Sequence, residues 1–316
     1  MAARRGTRNL GSSLTRTTLV WVAIVIVVLV VIDIALVTLA LGRTAPNSGD
    51  PAGPIPTFSS SPRSSESASP TPTASAGAAD AASARRLLSA IDGKEAWRAS
   101  STPCSGDKPV LEHSVDGGAT WVAVALGDDV RALTGLRATT DGVSILTGVG
   151  DDCAMTVRTS TDDGATWSAG QPGAAGAGVS DAALQLQSGR VDSPCADPVD
   201  AYQGQYTTLV ACADDIAWRS GTGSWVTAPI GGIQSIADSG NTYTLARTGG
   251  ATCAGVEIAS LAAVKVTASS TVSPVGCWTG GASSGPVAIG LADKSLWAWS
   301  GDTVAVSADG GASWSR

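Results

Sequence analysis

The residues best suited to hold an ion or do chemistry are three acidic pairs, Asp128-Asp129, Asp151-Asp152 and Asp214-Asp215. Adjacent carboxylates supply the hard oxygen ligands that Ca²⁺ takes. Each pair also falls where a turn is expected, and turns favour Asp for purely local hydrogen bonding. No EF-hand-type loop frames them, so Ca²⁺ is a candidate without a ligand pattern; no other cofactor or metal is expected. His113 is the only histidine, and a Ser–His–Asp relay would have to use it. No Gly-x-Ser-x-Gly elbow accompanies it. The tyrosines are Tyr202, Tyr206 and Tyr243, and the glutamates of the folded part are Glu95, Glu112 and Glu257. No Tyr–Glu pair falls in strand register. Arg98, Arg131, Arg137, Arg158, Arg190, Arg219 and Arg247 are scattered singly. No catalytic residue is assigned.

What repeats is an octapeptide, Ser-x-Asp-x-Gly-x-Thr/Ser-Trp. Its copies are Ser114, Asp116, Gly118, Thr120 and Trp121; Ser160, Asp162, Gly164, Thr166 and Trp167; and Ser307, Asp309, Gly311, Ser313 and Trp314. A short alternating run precedes each copy (residues 110–113, 155–158 and 304–306), which predicts a hairpin turn between strands. Asp accepts from backbone N–H groups of its own turn. Gly supplies φ > 0. Ser and Thr close further local bonds, and Trp offers a large apolar face to a neighbouring sheet. Folding alone accounts for all five fixed positions.

This octapeptide resembles the Asp-box, or BNR repeat, of sialidases and other β-propellers. The resemblance covers residues 85–316. It implies an all-β propeller, with the box between the third and fourth strands of a blade, on the face away from the active site. Sialidases use an arginine triad, a Tyr nucleophile with a Glu partner, an Asp acid/base and an Arg-Ile-Pro motif. No Arg-Ile-Pro occurs here, and the other groups cannot be matched residue by residue. The chain is also similar to non-catalytic Asp-box propellers that assist assembly of membrane complexes, photosystem assembly factors among them.

From Arg85 a repeat of roughly 40–50 residues is the period of propeller blades. Five blades of four strands are expected. The first uses residues 87–91, 96–99, 110–113 and 121–124. The second uses 130–138, 143–147, 155–160 and 167 onward. The third uses 199–203, 206–211 and the pair flanking a shortened turn at 216–225. The fourth uses 233–238, 243–247, 256–259 and 264–268. The fifth uses 287–291, 296–300, 303–308 and a last strand at Ser313-Trp314. Residues 179–197 and 270–284 are long enough to hide strands, so a six-bladed ring with one irregular blade, or an open array, is the alternative.

Cys104, Cys153, Cys195, Cys212, Cys253 and Cys277 are even in number, which suits three disulfides in an oxidising compartment. No Cys-x-x-Cys suggests zinc. Four fall between second and third strands, with Cys195 and Cys277 in loops leading into a new blade, so all six belong on one face. Chain and blade order favour Cys104–Cys153, Cys195–Cys212 and Cys253–Cys277; pairing Cys153 with Cys195 is the alternative.

Residues 1–17 carry four arginines and no acid, and 18–42 are almost wholly apolar apart from Asp33. That length spans a bilayer as a helix, and the arginines predict a cytoplasmic N-terminus. A cleaved signal peptide would have a shorter apolar core and a clear cleavage site. Asp33 in lipid points to a helix–helix contact or a protonated group; a strongly apolar helix can equally carry one such residue. Residues 43–84, rich in Ser, Pro, Ala and Thr, form a linker without a core, reaching about 3 Å per residue where extended. Net charge is −7 over 316 residues. Five of the 20 basic and one of the 27 acidic residues precede Thr44, leaving −11 beyond it. Nothing resembles a basic footprint for nucleic acid. The reading is a single-pass plasma-membrane protein with an extracytoplasmic propeller. It would bind or scaffold a cell-envelope protein or glycan. A glycoside hydrolase or lyase with an unfamiliar site is the alternative.

Overall fold

A computed structural model describes residues 85–180 and 183–314. The tail (1–17), the apolar segment (18–42) and the linker (43–84) lie outside the described residues, so the expectations placed on them do too. Among the described residues no helix is long and apolar enough to cross a membrane.

The described chain is all β, in six small antiparallel sheets. Blade 1 holds β1 (Arg85–Ala90), β2 (Ala96–Ser101), β3 (Val110–Ser114) and β4 (Val122–Val124). Blade 2 holds β5 (Val130–Thr139), β6 (Gly142–Val149), β7 (Ala154–Ser160) and β8 (Ser168–Ala169). Blade 3 has three strands, β9 (Gly178–Ser180), β10 (Ala183–Leu186) and β11 (Gly189–Asp192). Blade 4 holds β12 (Asp200–Gln203), β13 (Thr207–Ala211), β14 (Ile216–Ser220) and β15 (Val226–Ala228). Blade 5 holds β16 (Ile233–Asp238), β17 (Thr242–Arg247), β18 (Val256–Ala262) and β19 (Ser273–Trp278). Blade 6 holds β20 (Val287–Ala292), β21 (Ser295–Ser300) and β22 (Thr303–Ser307). The first strands touch in the cyclic order β1, β5, β9, β12, β16, β20 and back to β1, which closes a six-bladed propeller.

The ring therefore has six blades, not five. The extra sheet lies in residues 178–192, inside a segment long enough to hide it. Two strand assignments are corrected as well. Residues 264–268 form no strand: Val264 is exposed while Val266 is buried under blades 4 and 5, so a loop plug reproduces the apolar alternation. The fourth strand of blade 5 is β19, an edge strand that tolerates Pro274. Ser313-Trp314 forms no strand either. Cys277 consequently sits in β19, paired with Glu257, and not in a loop.

Three of the six inner strands share one device. Their edges face the axis, and side-chain oxygens reach across to satisfy backbone N–H groups of the next blade. Ser89 Oγ accepts from Ala138 N (2.8 Å), Asp200 Oδ2 from Ile236 N (2.8 Å) and Ser235 Oγ from Ile289 N (3.2 Å). These contacts join equivalent levels of neighbouring strands, so those strands run parallel around the axis.

Blade 3 breaks the pattern. Residues 132–134 of β5 share one cavity with Val179 and Ser180, whereas 135–139 line the axial channel beside 175–177. A Cβ on Gly135 would meet the carbonyls of Ala175 and Ala177, and one on Gly178 would meet Thr134. β9 thus runs opposite to β5. The cause lies just upstream. β8 pairs with β7 over two residues only, and Gly170 N then donates to Val157 O (2.8 Å). The chain turns inward at that point without completing a full fourth strand.

Candidate functional site

The two faces of the ring differ in chemistry. On one, the three octapeptides form turns with the same bonds. The serine hydroxyls donate to Oδ1 of Asp116, Asp162 and Asp309 (2.9, 2.7 and 2.7 Å). The serine Oγ atoms in turn accept from the N–H groups of Gly118, Gly164 and Gly311 (3.0, 2.8 and 2.8 Å). The hydroxyls of Thr120, Thr166 and Ser313 donate to Oδ2 of their aspartates, each at 2.6 Å. Those hydroxyls, first of several donors, hold the three carboxyls down to a pKa of about 2. The carboxylates are saturated by their own turns and offer little to a ligand.

Each turn leans on the blade before it. Gly118 sits against Trp297 and Val304 of blade 6, Gly164 against Val124 and Trp97 of blade 1, and Gly311 against Ile258 of blade 5. The tryptophans follow. Trp121 meets Trp297 edge-on (6.2 Å), Trp167 Nε1 donates to Ala125 O (2.9 Å), and Trp314 stacks on Trp278 (5.5 Å). The glycines and tryptophans of the three turns are thus wedges between blades, and the other residues hold each turn in shape.

The other face carries the cysteines. Cys104–Cys153 joins blades 1 and 2, Cys195–Cys212 joins the loop after blade 3 to blade 4, and Cys253–Cys277 lies within blade 5. Among the described residues no cysteine is free. Beside the first bridge opens a cavity of about 490 Å³, lined by Arg85, Cys104, Asp152, Cys153, Met155 and Arg190 among others. It exists because the chain does not cross this face between blades 2 and 3. Arg85 is enclosed. Desolvation lowers its pKa, and Asp200 partly offsets that. Neither Arg85 nor Arg190 makes a hydrogen bond or close ion pair with a described residue. Asp151, on the rim, faces Arg131 at 3.6 Å.

The axial channel encloses about 400 Å³ and is lined by Arg137, Asp200, Tyr202 and Asp238 among others. Tyr202 donates to Asp238 Oδ2 (2.6 Å). Burial first, and this bond second, push its phenol pKa well up, opposite to what a nucleophile needs. Asp200 is raised chiefly by desolvation, against the pull of Arg85 and of the Ile236 and Ala201 N–H groups. Burial thus favours its neutral form.

The remaining sequence candidates disperse. Asp128 meets Lys108 (3.3 Å), Asp129 pairs with Arg158, and Asp214 and Asp215 lie in a turn of blade 4. Among the described residues no three His, Cys, Asp or Glu side chains gather as a metal site. His113 stacks on buried Trp97 (4.1 Å) and bonds Glu95 (3.0 Å). Arg98 lies between Trp121 and Trp299 (4.2 and 4.8 Å) and pairs with Glu112 (2.7 Å). Sequence reasoning passed over Arg85 and the pairing of Tyr202 with Asp238. Only the ring brings these groups to a cavity, and no local spacing announces them.

No family model and no curated protein matches the chain. Among solved structures it is similar to one described as YCF48 bound to D1 peptide. That match has 14% identity and TM-score 0.39, over 74% of this chain and 80% of that one. It is also similar to a GH74 enzyme of Niastella koreensis, with 16% identity and TM-score 0.39, over 73% of this chain and 46% of that one. An α-L-arabinofuranosidase of Clostridium thermocellum follows at 10% identity and TM-score 0.37, over 68% and 80%.

Proposed function

We propose that this chain is a membrane-tethered, extracytoplasmic binding or assembly module that recognises a cell-envelope protein or glycan and does not turn it over. The tether is the apolar segment 18–42 and the reach is the linker 43–84. The observation that carries the reading is the cavity between blades 1, 2 and 3. Arg190 opens into it with no side-chain hydrogen bond or ion pair to a described residue, beside Arg85, whose charge faces Asp200. Hydrogen-bonding capacity left free in a concave site is what a binding surface needs. The axial channel supports the non-catalytic half of the reading. Its tyrosine is held protonated, and its partner Asp238 is occupied by that hydroxyl.

A hydrolase or lyase is the second reading, and Asp200 favours it. A carboxyl whose pKa burial raises is suited to general-acid work. One experiment separates the two: a glycan-array and surface-crosslinking screen with the disulfide-intact full chain. A specific partner recovered intact, with binding lost in Arg190→Ala, is the expected result. Consumption of a glycan, abolished in Asp200→Asn, would make the chain an enzyme.

A further inference from the structure

Blade 3 ends one strand short, and its last strand is recessed. β11 pairs with β10 on one side, and on the other no described residue bonds its backbone. The flanking blades 2 and 4 each have a fourth strand, so this edge lies about 4.8 Å, one strand spacing, inside the rim. Blade 2 contributes a second open edge. β7 meets β8 only at Arg158 and Thr159, and beyond the bond from Gly170 N to Val157 O the outer backbone of Met155 has no strand partner among the described residues. Two cavities flank these edges, about 490 Å³ on the cysteine side and about 360 Å³ on the other. They share Met155; one reaches Arg190 and the other Gly189, so both border β11.

Building on the binding reading above, we infer that the partner is an extended peptide segment bearing an acidic residue. It adds to blade 3 along β11 as a fourth strand, with the acid facing Arg190. Open N–H and C=O groups repeating at strand spacing are matched by another peptide backbone, which offers the same groups at the same repeat. A glycan offers hydroxyls without that repeat. The edge itself sets the charge requirement. Exposed Arg190 and Asp192 alternate along β11, and charges on an edge strand deter unselected pairing. A strand is accepted where its charges are complementary across the ladder. Arg190, whose side chain makes no hydrogen bond or ion pair with a described residue, asks for an acid at that end. Met155, Val157 and Leu186 provide apolar contact beside the slot.

The test uses the full chain in detergent micelles and a capped eight-residue peptide of alternating threonine and valine with one central glutamate. Fluorescence anisotropy reads its dissociation constant. N-methylation of alternate peptide amides in one phase should weaken binding at least tenfold, and in the other phase hardly at all, because only one set of amides faces β11. A lysine in place of the glutamate should weaken binding about tenfold. The surface variant Arg190→Glu should invert that preference, which also shows that the variant is folded. No binding, binding indifferent to N-methylation in both phases, or an unchanged preference in Arg190→Glu each overturns the inference. So does self-association of the chain that the peptide cannot compete away. A specific envelope glycan found in the screen above, alongside a negative result here, would leave the binding module standing and remove only the strand.

Discussion

The seam between blades 6 and 1 and the seam between blades 2 and 3 solve the same problem in opposite ways. At the first, Trp297 is fully buried and donates to Asp92 O (2.7 Å). Arg86 donates to Gly301 O (2.6 Å) and stacks over Trp299 at 4.5 Å. The turn at 114–121 is wedged into the same seam. At the second, no side-chain hydrogen bond, ion pair or disulfide joins described residues of the two blades, and the interface is of small residues around Gly135 and Gly178. One seam is filled with aromatics and cations, and the other is left open. On the binding reading proposed above, stability and recognition fall in different sectors of one ring.

Several substitutions would break or sharpen this contrast. Trp297→Ala should be the most damaging, at about 3–5 kcal/mol by the cost of a large buried cavity. Met155→Ala at the open seam should cost about 0.5 kcal/mol, as for a residue outside any tight core. Urea midpoints at unchanged m-value compare the two; equal losses would refute the division of roles. Next come the disulfides. Replacing Cys104 and Cys153 by serine opens a link of 49 residues and should cost about 4 kcal/mol, against about 3 kcal/mol for Cys195 and Cys212, 17 apart. Thermal unfolding of the two double variants tests that order.

Glycine in a wedge should matter through both space and conformation. A Cβ on Gly164 would lie 2.3 Å from Val124 Cγ1 at φ +81°. Gly164→Ala should therefore cost about 1–3 kcal/mol. Gly189→Ala at the open seam has φ +108° but nothing within 4 Å. It should show strain without a clash and a smaller loss by the same assay.

The smallest effect concerns acid. Asp116, Asp162 and Asp309 are ionised in the fold down to about pH 2, below the ordinary value of 3.8. A depressed carboxyl stabilises the fold fully above its unfolded pKa, and that contribution is lost as pH falls from about 4 through 2. The wild type should lose stability over that window, and a variant with all three changed to Asn should lose less. Denaturation midpoints at pH 5, 3.5 and 2.5 read the difference. Identical slopes would mean that the turns do not carry the acid response.

The turns were legible because their information is local: five side chains within eight residues bond one another. The disulfide pairs were legible because blade order brings them together. Blade 3 was not, for physical reasons. Its three strands total eleven residues, too few to show alternation. Its polarity is reversed, so it does not keep the period of its neighbours. Val264 and Val266 misled in the other direction, since a loop plug buries alternate residues as a strand does. The candidate site was least legible. Arg85 and Arg190 share a cavity only because the ring closes and blade 3 inverts, and neither event leaves a motif.

The way the ring closes has a consequence for biogenesis. Among the described residues every blade is one continuous stretch of chain, and no strand is exchanged across the seam between blades 6 and 1. Blades can form in turn as the chain emerges, but closure joins Arg86 to Gly301 over 215 residues. Contacts of such sequence separation form late and slowly. Until they form, the flanks of the first and last blades show solvent Leu88, Trp297 and Trp299, residues buried in the finished ring. The interval between synthesis of blade 1 and arrival of blade 6 is therefore the period of greatest aggregation risk.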